Sequence, residues 1–172
     1  MAKLFYTVLP TRDQLKEYTA QLYPGLDHET LYSHLLLRRM ATDLEINLDS
    51  FFSRFNLSSG RFNLMLLLQH AANGLMPSEL AQKVGVTQAT ISGLINSLEK
   101  AELVKRNTHE KDGRSFVIVL TEKGHKLCEE ILPQYYVRIT EFWSPFDQND
   151  KNLLNHLLER LITNVTKIGD EK

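Results

Sequence analysis

Two short helical stretches joined through Gly85, two β-rich runs directly behind them, and heptad-spaced apolar residues near both ends of the chain predict a mainly α fold. The architecture that fits is a winged helix-turn-helix domain with a two-stranded β wing, set between long N- and C-terminal helices that form a helical dimerisation region. A length of 172 residues suits one domain with a real core, and 42% hydrophobic with 24% charged residues is globular composition. No run approaches the roughly 20 apolar residues of a membrane span. The start, MAKLFYTVLP, lacks the apolar centre and cleavage site of a signal peptide. A soluble cytoplasmic protein without a membrane partner is therefore expected.

Residues 1–26 read as an N-terminal extension: an apolar piece from Leu4 to Leu9, a short helix from Arg12 to Leu22, then the Pro24-Gly25 break. Asp27 is placed to cap a long helix from His28 to about Phe55. In it Leu37, Ala41, Leu44, Leu48, Phe51 and Phe55 recur at alternating spacings of four and three. Ser58 and Ser59 cap a third helix, Gly60 to about Ala72, apolar nearly all round and so placed at the centre of the core. Helices over Pro77–Val84 and Thr87–Lys100 follow, then β runs from Leu103 to Thr108 and from Ser115 to Leu120, with a turn at Asp112-Gly113. Thr121 caps the next helix, which runs to about Trp143 with a kink at Pro133. Asp147 starts the last helix, where Leu154, Leu158, Leu161, Val165 and Ile168 again step by four and three. The division expected is 27–57 with 121–168 as the helical region, 58–120 as the winged lobe and 169–172 as a tail. The two seams leave two alternatives, a monomer that buries both and a homodimer; the homodimer is favoured, with Leu37, Leu44, Leu48, Leu154, Leu158, Leu161 and Val165 at its interface.

The segment MPSELAQKVGVTQATISGLINSLEKAELVKR, residues 76–106, carries the functional signal. Ala81 is small where two helices cross closely, Gly85 takes the tight turn, and Val86 is expected to plug the core after it. Thr87 caps the second helix. Ile91, Leu94, Ile95 and Leu98 share its inner face. The other side carries Gln88, Ala89, Thr90, Ser92, Gly93 and Asn96, small or hydrogen-bonding residues that suit a helix in a major groove. Ala89 or a Thr methyl can meet a thymine methyl, and Gln88 and Asn96 can pair with adenine through two bonds. An ordinary helical hairpin with a polar outer face would look similar. The hairpin behind it decides the reading: Lys105, Arg106, His109, Lys111 and Arg114 suit phosphate and minor-groove contact, with Asp112 orienting the wing and Arg114 reaching the duplex. Between Ala81 and Lys126 eight Lys/Arg meet five Asp/Glu, a net of +3 in a chain whose total is −1. Double-stranded DNA is the partner this pattern implies.

The motifs GRFNLMLLL, SELAQKVGVTQATISGLINSLEK and KDGRSFVIVLTEKG, in that order, resemble the MarR family (multiple antibiotic resistance regulators), bacterial winged-helix dimers. The resemblance covers about residues 28–168. It implies a transcriptional regulator, commonly a repressor, whose first and last helices with the helix after the wing form the dimer. It also implies that Thr87–Lys100 is the recognition helix, that Arg114 is the wing-tip arginine, and that Ser59 and Arg61 touch the DNA backbone. Family members bind small aromatic or anionic effectors in a crevice near the dimer helices, for which His34, Arg38, Tyr135 and Tyr136 are candidates here. Three departures stand out: Ala101-Glu102-Leu103 where a glycine often ends the recognition helix, Gly93 where many members carry arginine, and no cysteine at the start of the first long helix as in the peroxide-sensing branch.

A single cysteine, Cys128, allows no internal disulfide and reads as a small apolar helix residue, with a redox switch as the alternative. The six histidines are scattered without metal-ligand spacing, so no metal and no cofactor is expected. No phosphate loop, nucleophile elbow, HExxH or paired-carboxylate motif argues for an enzyme. The rival to a DNA-binding protein is a winged helix used for protein contacts, which would bind without the salt dependence of phosphate contact.

Overall fold

The computed structural model describes residues 8–22, 25–109 and 112–168, without the side chains of 109 and 112–115. The elements are α1 (Arg12–Leu22), α2 (His28–Ser53), α3 (Ser59–Gln69), α4 (Pro77–Val84), α5 (Gln88–Lys100), β1 (Val104–His109), β2 (Asp112–Leu120), α6 (Glu122–Trp143) and α7 (Gln148–Asn164), closed by a 3-10 turn over Val165–Ile168. They fall into two compact units, Met1–Thr121 and Glu122–Lys172. The mainly α architecture with a two-stranded wing is the one the sequence predicts.

Within the first unit, α2 begins where Asp27 accepts hydrogen bonds from the N–H groups of Glu29 and Thr30. The Thr30 hydroxyl also donates to this carboxylate, and these bonds hold its pKa below the ordinary carboxylate value. The end of α2 is a Schellman turn. Asn56 takes a left-handed φ of 55°, its N–H bonds to the Ser53 carbonyl, and the Leu57 N–H returns to Phe52 at 3.1 Å. Leu57 and Phe52 are both buried, which supplies the apolar contact that usually accompanies such a turn.

The core of this unit gathers around α3. Phe62, Leu64, Met65 and Leu68 are buried with Leu80, Ile91, Ile95, Leu98 and Ile118, and the Phe62 ring stacks on Phe52 at 4.4 Å. Burying a side chain of this size contributes about 1.5–3 kcal/mol, so α3 is the piece the lobe is built on. Strands β1 and β2 pair antiparallel, with Val104 opposite Leu120 and Arg106 opposite Ile118. The segment before α4 adds a short bridge: Leu75 exchanges both backbone hydrogen bonds with Ile118. Gly74 is required beside it, because a Cβ there would sit 2.5 Å from the Ile118 carbonyl oxygen.

The hairpin corrects one expectation. Asp112 pairs with His109 and Asp112-Gly113 belongs to β2 rather than to a turn, while residues 110 and 111 lie outside the described residues. In the second unit α6 runs through Pro133, and α7 is capped by Asp147, which accepts from the Asp150 N–H at 2.9 Å. Cys128 is buried, and burial raises its thiol pKa from an ordinary 9.0 to about 11. Among the described residues no helix is long and apolar enough to cross a membrane.

Candidate nucleic-acid interface

The site is assembled by three local devices. First, Pro77 opens α4 and the Glu79 carboxylate accepts from the Met76 N–H at 2.7 Å, satisfying a donor that the helix start would leave open. Second, Gly85 ends α4 at φ 71°, and its N–H and that of Val86 both return to the Ala81 carbonyl. Val86 itself is 37% exposed, so it does not plug the core as expected. It acts through its backbone, while Ala81 and Leu80 fill the space between the helices. Third, the Thr87 hydroxyl accepts from the Thr90 N–H and starts α5.

Helix α5 then has two distinct sides. Ile91, Ile95 and Leu98 are buried and Leu94 is half-buried, whereas Gln88, Ala89, Thr90, Ser92, Gly93 and Asn96 are exposed. A Cβ added to Gly93 would meet nothing within 4 Å, so this glycine leaves an open place on the outer face. At the helix end Glu102 takes the left-handed turn at φ 60°. Its N–H bonds to Glu99 and the Leu103 N–H to Leu98, both at 2.9 Å, another Schellman turn over buried Leu98 and Leu103. Thr121 locks it, donating its hydroxyl to the Glu102 carbonyl at 2.7 Å and its N–H to Leu103.

Lys105 and Arg106, both expected at the DNA, have different surroundings. Strand alternation puts them on opposite faces of the hairpin. Lys105 is exposed opposite Val119. Arg106 lies on the face of buried Val104 and Ile118, and its guanidinium returns to α5. There Nη2 donates to Asn96 Oδ1 at 2.8 Å, Nε lies 3.4 Å from a Glu99 carboxylate oxygen, and the group stands 4.9 Å from the Phe116 ring centroid. With Arg106 and Glu99 side chains 41% and 40% exposed, the ion pair alone contributes roughly 0–1 kcal/mol. Glu99 and Phe116 were not singled out from the sequence. The pairing register would have revealed Phe116, which sits diagonally across from Arg106.

The start of α3 separates the two serines. Ser58 is its N-cap, accepting from the Arg61 N–H. Ser59 is only 7% exposed; its hydroxyl donates to Glu45 and its N–H to Asp49, both on α2. Carboxylates at a helix start are favoured by the helix dipole, and here they engage both the N–H and the hydroxyl of Ser59, the residue the family resemblance places at the DNA backbone. Half-buried Arg61 reaches Ser58 and, at 3.4 Å, the Ser97 hydroxyl of α5. Lys111 and the side chains of His109, Asp112 and Arg114 lie outside the described residues.

Of the expected effector residues, His34 and Arg38 are exposed on successive turns of α2, and Tyr135 and Tyr136 adjoin on α6 with ring centroids 6.1 Å apart. The expected seams remain uncovered in part: Leu37, Leu44, Leu161 and Val165 are exposed, and Leu48, Leu154 and Leu158 are half-buried. On α7 the most exposed leucine is Leu153, one residue before the expected seam.

Comparison with known proteins agrees with this geometry. A MarR family model matches residues 57–116, from the end of α2 to the wing. The HTH-type transcriptional repressor YetL of Bacillus subtilis is 31% identical over 158 residues, covering 89% of this chain and 94% of YetL. The chain belongs to the MarR family. It is thus a DNA-binding transcriptional regulator with the winged-helix fold of that family. Among solved MarR-type structures, the S. aureus MepR–DNA complex superposes with a TM-score of 0.70 at 20% identity, over 77% of this chain and 95% of MepR. CouR of Rhodococcus jostii RHA1, bound to p-coumaroyl-CoA, gives 0.66 at 20% identity, over 74% of this chain and 90% of CouR. At that identity these two speak for the fold.

Proposed function

We propose that this MarR-family regulator represses transcription as a homodimer on a pseudo-palindromic operator, and that a small aromatic or anionic effector modulates its binding. The observation that carries the reading is the division of α5: every fully apolar inner position from Ile91 to Leu98 is covered or half-covered, while the outer face is hydrogen-bonding and exposed. Such a face is complementary to base edges in a major groove. Gln88, Ala89, Thr90, Ser92, Gly93 and Asn96 would meet bases, with Thr87 at the helix start. Lys105, Arg61, Lys111 and Arg114 would meet the backbone or minor groove, with Asp112 orienting the wing. A DNA-bound MepR and a repressor such as YetL among its relatives support the same assignment.

The dimer is supported by the apolar side chains left exposed on α2 and α7. A two-fold dimer presents two recognition helices to half-sites about 34–36 Å apart. Modulation by an effector is supported by the CoA ester bound in CouR, with His34, Arg38, Tyr135 and Tyr136 as candidate contacts. An effector changes DNA affinity only by binding the two states of the dimer unequally.

Fluorescence anisotropy with the DNA upstream of the protein's own gene, at two salt concentrations, tests the reading. Tight binding that weakens steeply with salt, and weakens further in Arg114→Ala, is the expected result. Absence of binding to that DNA and to a pool of random duplexes overturns it and favours a winged helix that meets protein.

A further inference from the structure

We infer that Arg106 is a positioning residue that orients the Asn96 amide, so that Asn96 selects a base edge rich in acceptors, such as guanine or thymine, instead of adenine. This rests on the DNA-binding reading above and deepens it by assigning the chemistry of one base position. The argument begins with the inventory of donors. Arginine has only N–H donors and no acceptor. The amide of Asn96 must therefore turn its oxygen toward Arg106, and the 2.8 Å contact from Nη2 to Oδ1 fixes which end is which. What remains to meet a base is the amide nitrogen with its two hydrogens.

Two further contacts hold the orientation. The guanidinium is planar and rigid. Glu99 engages Nε at 3.4 Å, and Phe116 supports the group at 4.9 Å from its ring centroid. Glu99 lies three residues after Asn96 on the same helix, so the fork spans adjacent positions of one face. Adenine pairs with asparagine by giving N6–H to the amide oxygen and taking a hydrogen at N7. With that oxygen already engaged, the N6 amino group meets a weaker acceptor. Guanine, with N7 and O6, and thymine, with O4, present acceptors to the amide nitrogen. Arg106 thus contributes to specificity without touching DNA, which differs from the phosphate contact its charge suggests.

The test is selection of duplexes from a random pool by the full-length protein, followed by anisotropy on the selected sequences. Wild type, Asn96→Ala, Arg106→Lys and Arg106→Ala are compared, with thermal melts to show that each is folded. The position read by Asn96 is the one whose preference disappears in Asn96→Ala. Wild type is expected to prefer guanine or thymine there by roughly fivefold or more over adenine. Arg106→Lys keeps the charge but loses the fork, so it should keep the salt dependence while admitting adenine. Adenine preferred there by wild type, or an Arg106→Lys protein with the wild-type preference, overturns the inference. So does an Arg106→Ala protein that loses affinity equally for all sequences, which marks a phosphate contact. Wild type that binds no duplex at all overturns the DNA-binding reading itself, a result distinct from the others.

Discussion

Helices α5 and α7 are both amphipathic, yet they are left unfinished in opposite ways. In α5 Ile91, Ile95 and Leu98 are buried, and what stays exposed is polar or small. In α7 no residue is fully buried, and Leu153, Leu157, Leu161 and Ile162 are 43–70% exposed. The lobe around α3 satisfies the apolar side of α5, so its surplus is hydrogen-bonding capacity. The surplus of α7 is apolar area, each exposed leucine a cost that only another apolar surface relieves. On the proposed reading one helix is prepared for a polar polyanion and the other for a second copy of the chain.

The sharpest way to break this comparison is to delete the same kind of side chain from each helix. Ile95→Ala should destabilise the fold by about 2–5 kcal/mol, seen as a fall in denaturant midpoint. Leu157→Ala should change the stability of dilute protein by far less. Equal losses would show that α7 is as well packed as α5. Next, Leu157→Glu with Leu161→Glu should weaken self-association at least about tenfold, since burying two unpaired carboxylates is costly. Sedimentation velocity would read this, and an unchanged dimer would place the interface elsewhere.

On the polar side, Lys105→Ala removes one contact from each half of the proposed dimer and should lower the magnitude of the log-affinity against log-salt slope by about 2, uniformly across DNA sequences. An unaltered slope would remove Lys105 from the backbone contacts. Smaller still is Glu102→Gly. A non-glycine residue in the left-handed region costs about 1–3 kcal/mol, part of which glycine returns through its more flexible unfolded chain. A net gain of up to about 1 kcal/mol in thermal stability is expected, and a loss would show that the Glu102 side chain does more than occupy the turn.

The smallest effect concerns Cys128. Its thiol is neutral in the folded protein up to about pH 11, against an ordinary 9.0. A raised folded pKa means that its contribution to stability is complete below pH 9.0 and is lost only as pH rises from there toward 11. A thiol reagent at pH 8 should leave the native protein unlabelled and label it once unfolded. Rapid native labelling would reopen the redox alternative.

Much of the fold was legible in the sequence because its signals are local. Pro77, Gly85 and Thr87 mark the helix boundaries by their own backbone and capping chemistry, and α4 and α5 lie where these residues put them. The missing glycine after α5 was legible as a problem; the solution was not, because it depends on Thr121 arriving from the far end of the hairpin to hold Glu102 and Leu103. Ser58 and Ser59 are equivalent as sequence. Only Glu45 and Asp49, a helix away, decide that one caps α3 and the other is buried.

The sequence by itself determined the class of the fold, the two faces of α5 and the presence of apolar seams, since periodicity and caps act within a few residues. Tertiary structure decided which exposed charge is tied down. Lys105 and Arg106 are adjacent, equally basic and both exposed, yet pleat alternation and the nearness of Asn96, Glu99 and Phe116 tie the second to the recognition helix. A side chain's charge is local chemistry, but its partner depends on chain segments that meet only in the fold.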